Sequence, residues 1–321
     1  MPPADSTGQD REAGGTGGQG TNPGAADSVL TSLYAQPCAI HRPVRQKVPF
    51  VFASPHSGRL YPASFVAGSR LGTTALRRSE DAFVDDLVTR TALELGAPMI
   101  AARFPRAYLD ANRAPTELDP VMFEGELAMA VDPPSARVQA GLGVIPRIVR
   151  DGADIYRSRL TAEEAAQRLM RLYRPYHAAL LDLVEETRAS FGAAVVIDCH
   201  SMPSAAAVPD IVLGDRYGTS AAPALMQRAQ QSFELRVFTV ARNVPYAGGF
   251  TTQLYGRPQH GVHGLQIEVS RALYLDEERI LPGPYFEDVR TRIGEALAHL
   301  TALPVADLTP QPGRTLPWAA E

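Results

Sequence analysis

The chain has 321 residues, a formal net charge of −4 and a hydrophobic fraction of 45%. That is enough apolar material for one large core or two modest ones. A balance this near neutral excludes a general pull toward nucleic acid or an anionic membrane, both of which need a clustered positive field.

In chain order, residues 1–26 are rich in Gly, Ala, Asp, Ser and Thr, and their composition predicts a disordered tail. The run Val48–Ser54 reads as a buried strand that passes straight into Pro55-His56-Ser57-Gly58. Phe83, Val84, Leu87, Leu93 and Leu95 carry helical spacing, with Ser79 as a plausible N-cap before an acidic first turn. A second strand is expected at Ala97–Arg103, followed by the polar-rich segment 108–115. Thr161 to Phe191 reads as helix and opens with a capping box, Thr161 and Glu164. Ala193–Cys199 is a further strand, running into His200-Ser201. Then come a strand at Asp210–Gly214, a helix at Ser220–Phe233 and the Gly/Pro-punctuated loop 243–252. The strand Gly264–Ser270 carries Glu268, and a last helix is expected at Pro284–Leu300. No linker or fixed-period repeat divides the chain, so one domain over 27–308 is expected, with an irregular tail at 309–321. Strands alternating with helices argue for an α/β fold with a largely parallel sheet.

Cys38 and Cys199 are the only cysteines, too few for a disulfide framework, and neither belongs to a Cys-x-x-Cys pair. No apolar leader and no stretch of ~20 apolar residues is visible, so the expectation is a cytoplasmic protein that binds neither nucleic acid nor membrane. No Gly-x-Ser-x-Gly elbow occurs. Cys199 should point away from His200, because neighbours on a strand face opposite ways.

In open α/β sheets, ligands sit at the carboxyl ends of strands. His56, His200 and Glu268 all fall near such ends. Two imidazoles and one carboxylate, with a position left for water, make a common catalytic zinc site. The carboxylate is sought in the acidic segment, with Asp81 first and Glu80 second. Asp85 is a candidate for a supporting group one turn on. Asp198, two residues before His200, can hold the far ring nitrogen. Glu268 in an apolar strand is either a base for a metal-activated water or half of a buried ion pair with Arg271. Arg113 can fork onto a substrate carboxylate with Asn112 beside it. Arg106, Arg242 and His263 are weaker candidates on the substrate side, and the 243–252 loop is expected as a flexible wall.

These pieces resemble, in order, the N-formylglutamate amidohydrolase family. They are Pro-His-Ser-Gly at 55–58, Glu-Asp-Ala-Phe-Val-Asp-Asp-Leu at 80–87, Asp-Ala-Asn-Arg-Ala-Pro at 110–115 and Tyr-Arg-Pro-Tyr-His at 173–177. Asp-Cys-His-Ser-Met-Pro at 198–203, the 243–252 loop and residues 261–277 complete the set. The resemblance implies a three-layer α/β/α fold with a mixed central sheet, phosphorylase/hydrolase-like and of the zinc-carboxypeptidase-like kind. It implies one zinc ion on His56, Asp81 and His200, Glu268 as catalytic group and Arg113 on a substrate carboxylate. The implied activity is hydrolysis of N-formyl-L-glutamate to formate and glutamate, in histidine breakdown. Two departures stand out. Ser270 occupies the place of Asn in a Glu-x-Asn-Arg pattern, and Ala82-Phe83 replaces an aromatic residue and a histidine. Should these positions face the substrate, the alternatives are a deacylase or carboxypeptidase for another N-acyl amino acid, or a non-catalytic anion-binding protein. Oligomeric state is left open.

Overall fold

The computed structural model describes residues 27–149, 152–205 and 208–309. The expected N-terminal tail lies outside the described residues, as does all but the first residue of the expected C-terminal one. Seven strands form the main sheet: β1 (Cys38–His41), β2 (Phe50–Ser54), β3 (Met99–Ala102), β4 (Ala194–Met202), β5 (Ile211–Gly214), β6 (Val240–Arg242) and β7 (Val262–Ser270). Their order is β1-β3-β2-β4-β7-β5-β6. The central strands β3, β2, β4 and β7 are mutually parallel. β1 lies antiparallel on β3, and β5 antiparallel on β7 with β6 parallel beside it. The sheet is therefore mixed at its margins and parallel where the site forms.

The helices that cover it are α1 (Ser28–Ala35), α2 (Val84–Glu94), α3 (Arg174–Phe191), α4 (Pro223–Glu234), α5 (Phe250–Tyr255) and α6 (Phe286–Thr301). Strand side chains alternate between faces, and this splits the core in two. Phe50, Phe52, Ile197, Ile267 and Val269 pack with Leu87 of α2, Phe233 of α4 and Ile293 of α6. Val51, Ala53 and Val196 pack with Leu33 of α1 and with Tyr176 and Leu180 of α3. Helices on both sides of one sheet give the expected three layers. Among the described residues, no helix is long and apolar enough to cross a membrane.

Several local expectations need correcting. The first strands run close to their expected limits, but β4 continues through His200 to Met202, so His200 is a strand residue. The helix sought from Ser79 begins at Val84, after Phe83 in left-handed backbone (φ 63°). Asp81 thus lies in a turn before α2 and not in its first turn. The capping box at Thr161 is present. The helix it opens passes through a widened turn at Leu169–Tyr173 before α3. Pro175, which lacks an N–H for the helical ladder, follows at once.

Candidate active site

β2 delivers the chain into the His56 turn. A Cβ at Gly58 would lie 2.0 Å from the Phe104 carbonyl oxygen, so only glycine fits where this turn crosses the chain after β3. The Asp81 N–H donates to the His56 carbonyl at 3.0 Å, fastening the turn before α2 onto the His56 turn. On the sheet, Asp198 and His200 of β4 stand in register with Gln266 and Glu268 of β7. All four share the face that carries α3, because the alternate residues Ile197, Cys199 and Ile267 belong to the opposite core. Cys199 is buried and free, turned away as expected.

Three side chains from these segments converge. His200 Nδ1 lies 2.8 Å from Asp81 Oδ2, and His56 Nδ1 lies 3.3 Å from the same oxygen. The two ring centroids are 4.8 Å apart. The far nitrogens meet other carboxylates: His56 Nε2 is 2.7 Å from Asp110 Oδ1, and His200 Nε2 is 3.0 Å from Asp198 Oδ2. Each imidazole is thus held by a carboxylate behind it, with Nδ1 turned inward, the arrangement that orients histidine ligands toward a metal. Asp81 Oδ1 accepts from the Arg271 guanidinium at 3.1 Å, which leaves Oδ2 to the histidines. One nitrogen from each histidine and one Asp81 oxygen all fall within 4.8 Å of one another. Two imidazole nitrogens and one carboxylate oxygen this close suit a divalent cation of the zinc type.

Electrostatics follow from burial and pairing. Burial works to raise the Asp81 carboxyl, but hydrogen bonds from His200 and His56 outweigh it and hold it well below the usual range. Burial also opposes ionisation of Asp110, and there the charges of His56, Arg106 and Arg113 prevail, again well below the usual range. For His200 burial acts downward, while Asp198 and Asp81 lift it well above the ordinary histidine value. Glu268 runs opposite to Asp81 and Asp110: burial pushes it up to about 7 against the pull of His200. It is 7% exposed, and its Oε1 accepts from Gln266 Nε2 at 2.7 Å.

These groups border a cavity of ≈ 610 Å³ at the carboxyl ends of the parallel strands. Of the residues expected on the substrate side, Arg113 opens on this cavity. Its guanidinium donates to the carbonyls of Leu142 and Asn112, while its Nε is 4.0 Å from Asp110 Oδ2, too far for a hydrogen bond. Burial lowers its pKa, the mark of a cation short of neutralising partners. Arg106 also lines the cavity but is held on Asp110 Oδ2 at 3.0 Å. Asn112 borders the cavity with its carboxamide already engaged by Asp198, His200 and the Thr251 N–H.

Other expectations fail. His263 does not line the cavity: its Nδ1 accepts from the Ala222 N–H and its Nε2 meets the Leu308 carbonyl, so it ties the start of α4 to the last described turn. Arg242 is exposed on the edge strand β6 and is likewise not among the lining residues. Asp85 pairs with Arg59 at 2.7 Å, away from the histidines. Glu80 accepts from Tyr61 and Arg77, which turns it from the site. Arg271 binds Asp81 and not Glu268. The 243–252 loop does wall the cavity, but Thr251 and Thr252 are fully buried. Asp110 and Gln266 are the neighbours of the site that sequence reasoning passes over, and it considers Arg271 only as a partner for Glu268, whereas Arg271 sits on Asp81. Only Gln266 had a local signal, its place two residues before Glu268 on the same strand face.

Fold and site together define a class, α/β hydrolases with a metal-competent His–Asp–His group at the strand ends. Within that class, the chain belongs to the N-formylglutamate amidohydrolase family, whose model matches residues 48–275. It is 30% identical to an N-formylglutamate deformylase of Pseudomonas aeruginosa over 80% of this chain and 94% of that protein. A deformylase of the same name from Pseudomonas putida is 29% identical over 62% of this chain and 71% of its own length. Among solved structures, an N-formylglutamate amidohydrolase from Ralstonia eutropha JMP134 superposes with a TM-score of 0.76 at 35% identity, covering 82% of this chain and 96% of that one. A gene product of Agrobacterium tumefaciens shares the fold (TM-score 0.59, 17% identity, 84% and 95% covered). The departures from the family pattern fall off the cavity. None of these positions lines it: Ser270 is buried at the end of β7, Ala82 belongs to the core on the α2 face, and Phe83 packs edge-on against Phe286.

Proposed function

We propose that this protein hydrolyses N-formyl-L-glutamate to formate and L-glutamate, with one divalent cation held by His56 Nδ1, Asp81 and His200 Nδ1. The observation that carries this reading is the inward convergence of those donors beside Glu268. Zinc bound there supplies Lewis acidity toward water and the formyl oxygen. Arg113 holds a substrate carboxylate, and the other arginines bordering the cavity add positive field for a dianion. Water attacks the formyl carbon, and Glu268 takes its proton. The same carboxyl then gives the proton to the amine nitrogen as the C–N bond breaks. A carboxyl pushed up to about 7 suits both halves of that exchange. Asp110 and Asp198 keep the imidazoles aimed, and Arg271 keeps Asp81 aimed.

The deformylase activity of the related proteins and the placement of the sequence departures outside the cavity lining favour the formyl substrate over another N-acyl amino acid. The presence of every donor together with Glu268 speaks against a non-catalytic anion-binding role. Histidine breakdown and a cytoplasmic setting belong to the same reading; they are supported by the family resemblance and by two buried, unpaired cysteines. The test is formate release by purified protein from N-formyl-, N-acetyl- and N-succinyl-glutamate. Turnover of the formyl compound alone is expected; faster turnover of a longer acyl group overturns the substrate assignment.

A further inference from the structure

Two buried carboxamides stand between the cavity wall and the reacting groups. Asn112 is 3% exposed and Gln266 4%. Each receives a backbone N–H from the start of α5. Thr251 N–H donates to Asn112 Oδ1 at 2.7 Å, and Gly249 N–H donates to Gln266 Oε1 at 2.8 Å. With its oxygen so engaged, each carboxamide must turn its NH₂ the other way. Asn112 Nδ2 then donates to Asp198 Oδ2 at 3.2 Å and lies 3.0 Å from His200 Nε2. Gln266 Nε2 donates to Glu268 Oε1 at 2.7 Å. The Asn112 backbone N–H also donates to Asp110 Oδ1 at 2.8 Å. One residue therefore touches both carboxylates that stand behind the histidines. Contact with the loop is close: a Cβ on Gly249 would lie 2.4 Å from Asn112 Nδ2.

We propose that Asn112 and Gln266 are positioning residues that tie the 249–251 segment to the centre, Asn112 setting the metal-binding histidines and Gln266 setting Glu268. This departs from a substrate-binding role for Asn112, and it rests on the cation and base assignments made above. The loop is then a fixed part of the catalytic frame. Its N–H groups decide which way two amides face, and the amides decide where His200 and Glu268 point.

Asn112→Asp and Gln266→Glu keep the shape and the oxygen that accepts from the loop, but set an oxygen against a carboxylate where a donor stood. Gln266→Glu is expected to lower kcat about 10–100-fold with KM near the native value and zinc content intact. Asn112→Asp is expected to weaken zinc binding about 10–100-fold, read by chelator competition on the folded protein without substrate. Should either variant fail to fold, Gln266→Met and Asn112→Leu remove the donor without adding charge and carry the same expectations. Folded variants with native kcat and native zinc affinity overturn the proposal, as does a Gln266 variant that changes KM alone. If the native protein binds no zinc in the same titration, the cation assignment falls and takes the Asn112 half with it, while kcat still decides the Gln266 half.

Discussion

At the scale of single residues, the chemistry depends on which atom of each side chain faces inward. His56 and His200 present Nδ1 because Asp110 and Asp198 engage Nε2. Asp81 presents Oδ2 because Arg271 engages Oδ1. Glu268 differs from Asp81 and Asp110 in being raised by burial instead of lowered by partners. Glu268→Gln keeps the size of the group and removes its proton exchange. It should bind zinc as the native protein does and lose about 10²–10⁴-fold in kcat; retained turnover would remove Glu268 from its role. Arg113 is a half-buried cation at the cavity, with Asp110 Oδ2 4.0 Å from its Nε. Arg113→Ala should raise KM about 10–100-fold through loss of a charge-assisted contact, with zinc content unchanged. Steady-state kinetics on N-formyl-glutamate checks this, and an unchanged KM would place the carboxylate elsewhere. Much of this level is legible in the sequence, since His56, His200 and Glu268 stand near ends of short apolar runs. The choice between Glu80 and Asp81 is not legible. In the structure Asp81 meets both histidines while Tyr61 and Arg77 engage Glu80, and neither of those two residues announces itself as part of a site. His263 misleads for a related reason: a histidine beside a functional strand is as readily satisfied by two backbone groups.

At the scale of elements, polar fasteners hold the loops that bear the site. His177 on α3 is one. Its Nε2 is 2.9 Å from the Ala111 carbonyl and its Nδ1 is 3.1 Å from the Tyr255 hydroxyl, so it joins α3, the 110–115 segment and α5. Burial lowers its pKa from 6.5 to about 4. In that window the unfolded chain holds a proton that the folded chain refuses, so stability falls as pH falls from 6.5 toward 4. The loss attributable to this group is on the order of 3 kcal/mol over the window. Urea unfolding of the native protein and His177→Gln across these pH values should show a shallower slope in the variant; parallel slopes would contradict the assignment. The sequence reveals the buried strands and the long helices well, because apolar runs and a capping box are local signals. It conceals β1 and β6. Cys38–His41 is half-exposed, and Val240–Arg242 is three residues long with no buried member. Their pairing depends on neighbours distant in the chain, and with it the mixed character of the sheet.

At the scale of the molecule, one sheet separates two tasks. Its α2–α4–α6 face is apolar along β4 and β7, while the other face turns polar where these strands end, with Asp198, His200, Gln266 and Glu268 in two adjacent pairs. Parallel β2, β4 and β7 bring the His56 turn and both pairs to one rim, and the turn before α2 adds Asp81. Segments as distant as positions 56, 81 and 200 meet there through sheet order, which no local pattern encodes. The central claim is that these three positions hold one divalent ion. Zinc content per chain, measured on the native protein and on His56→Ala and His200→Ala, tests it most directly. The account predicts one ion per native chain and a large loss in both variants; a full complement of zinc in both would contradict it.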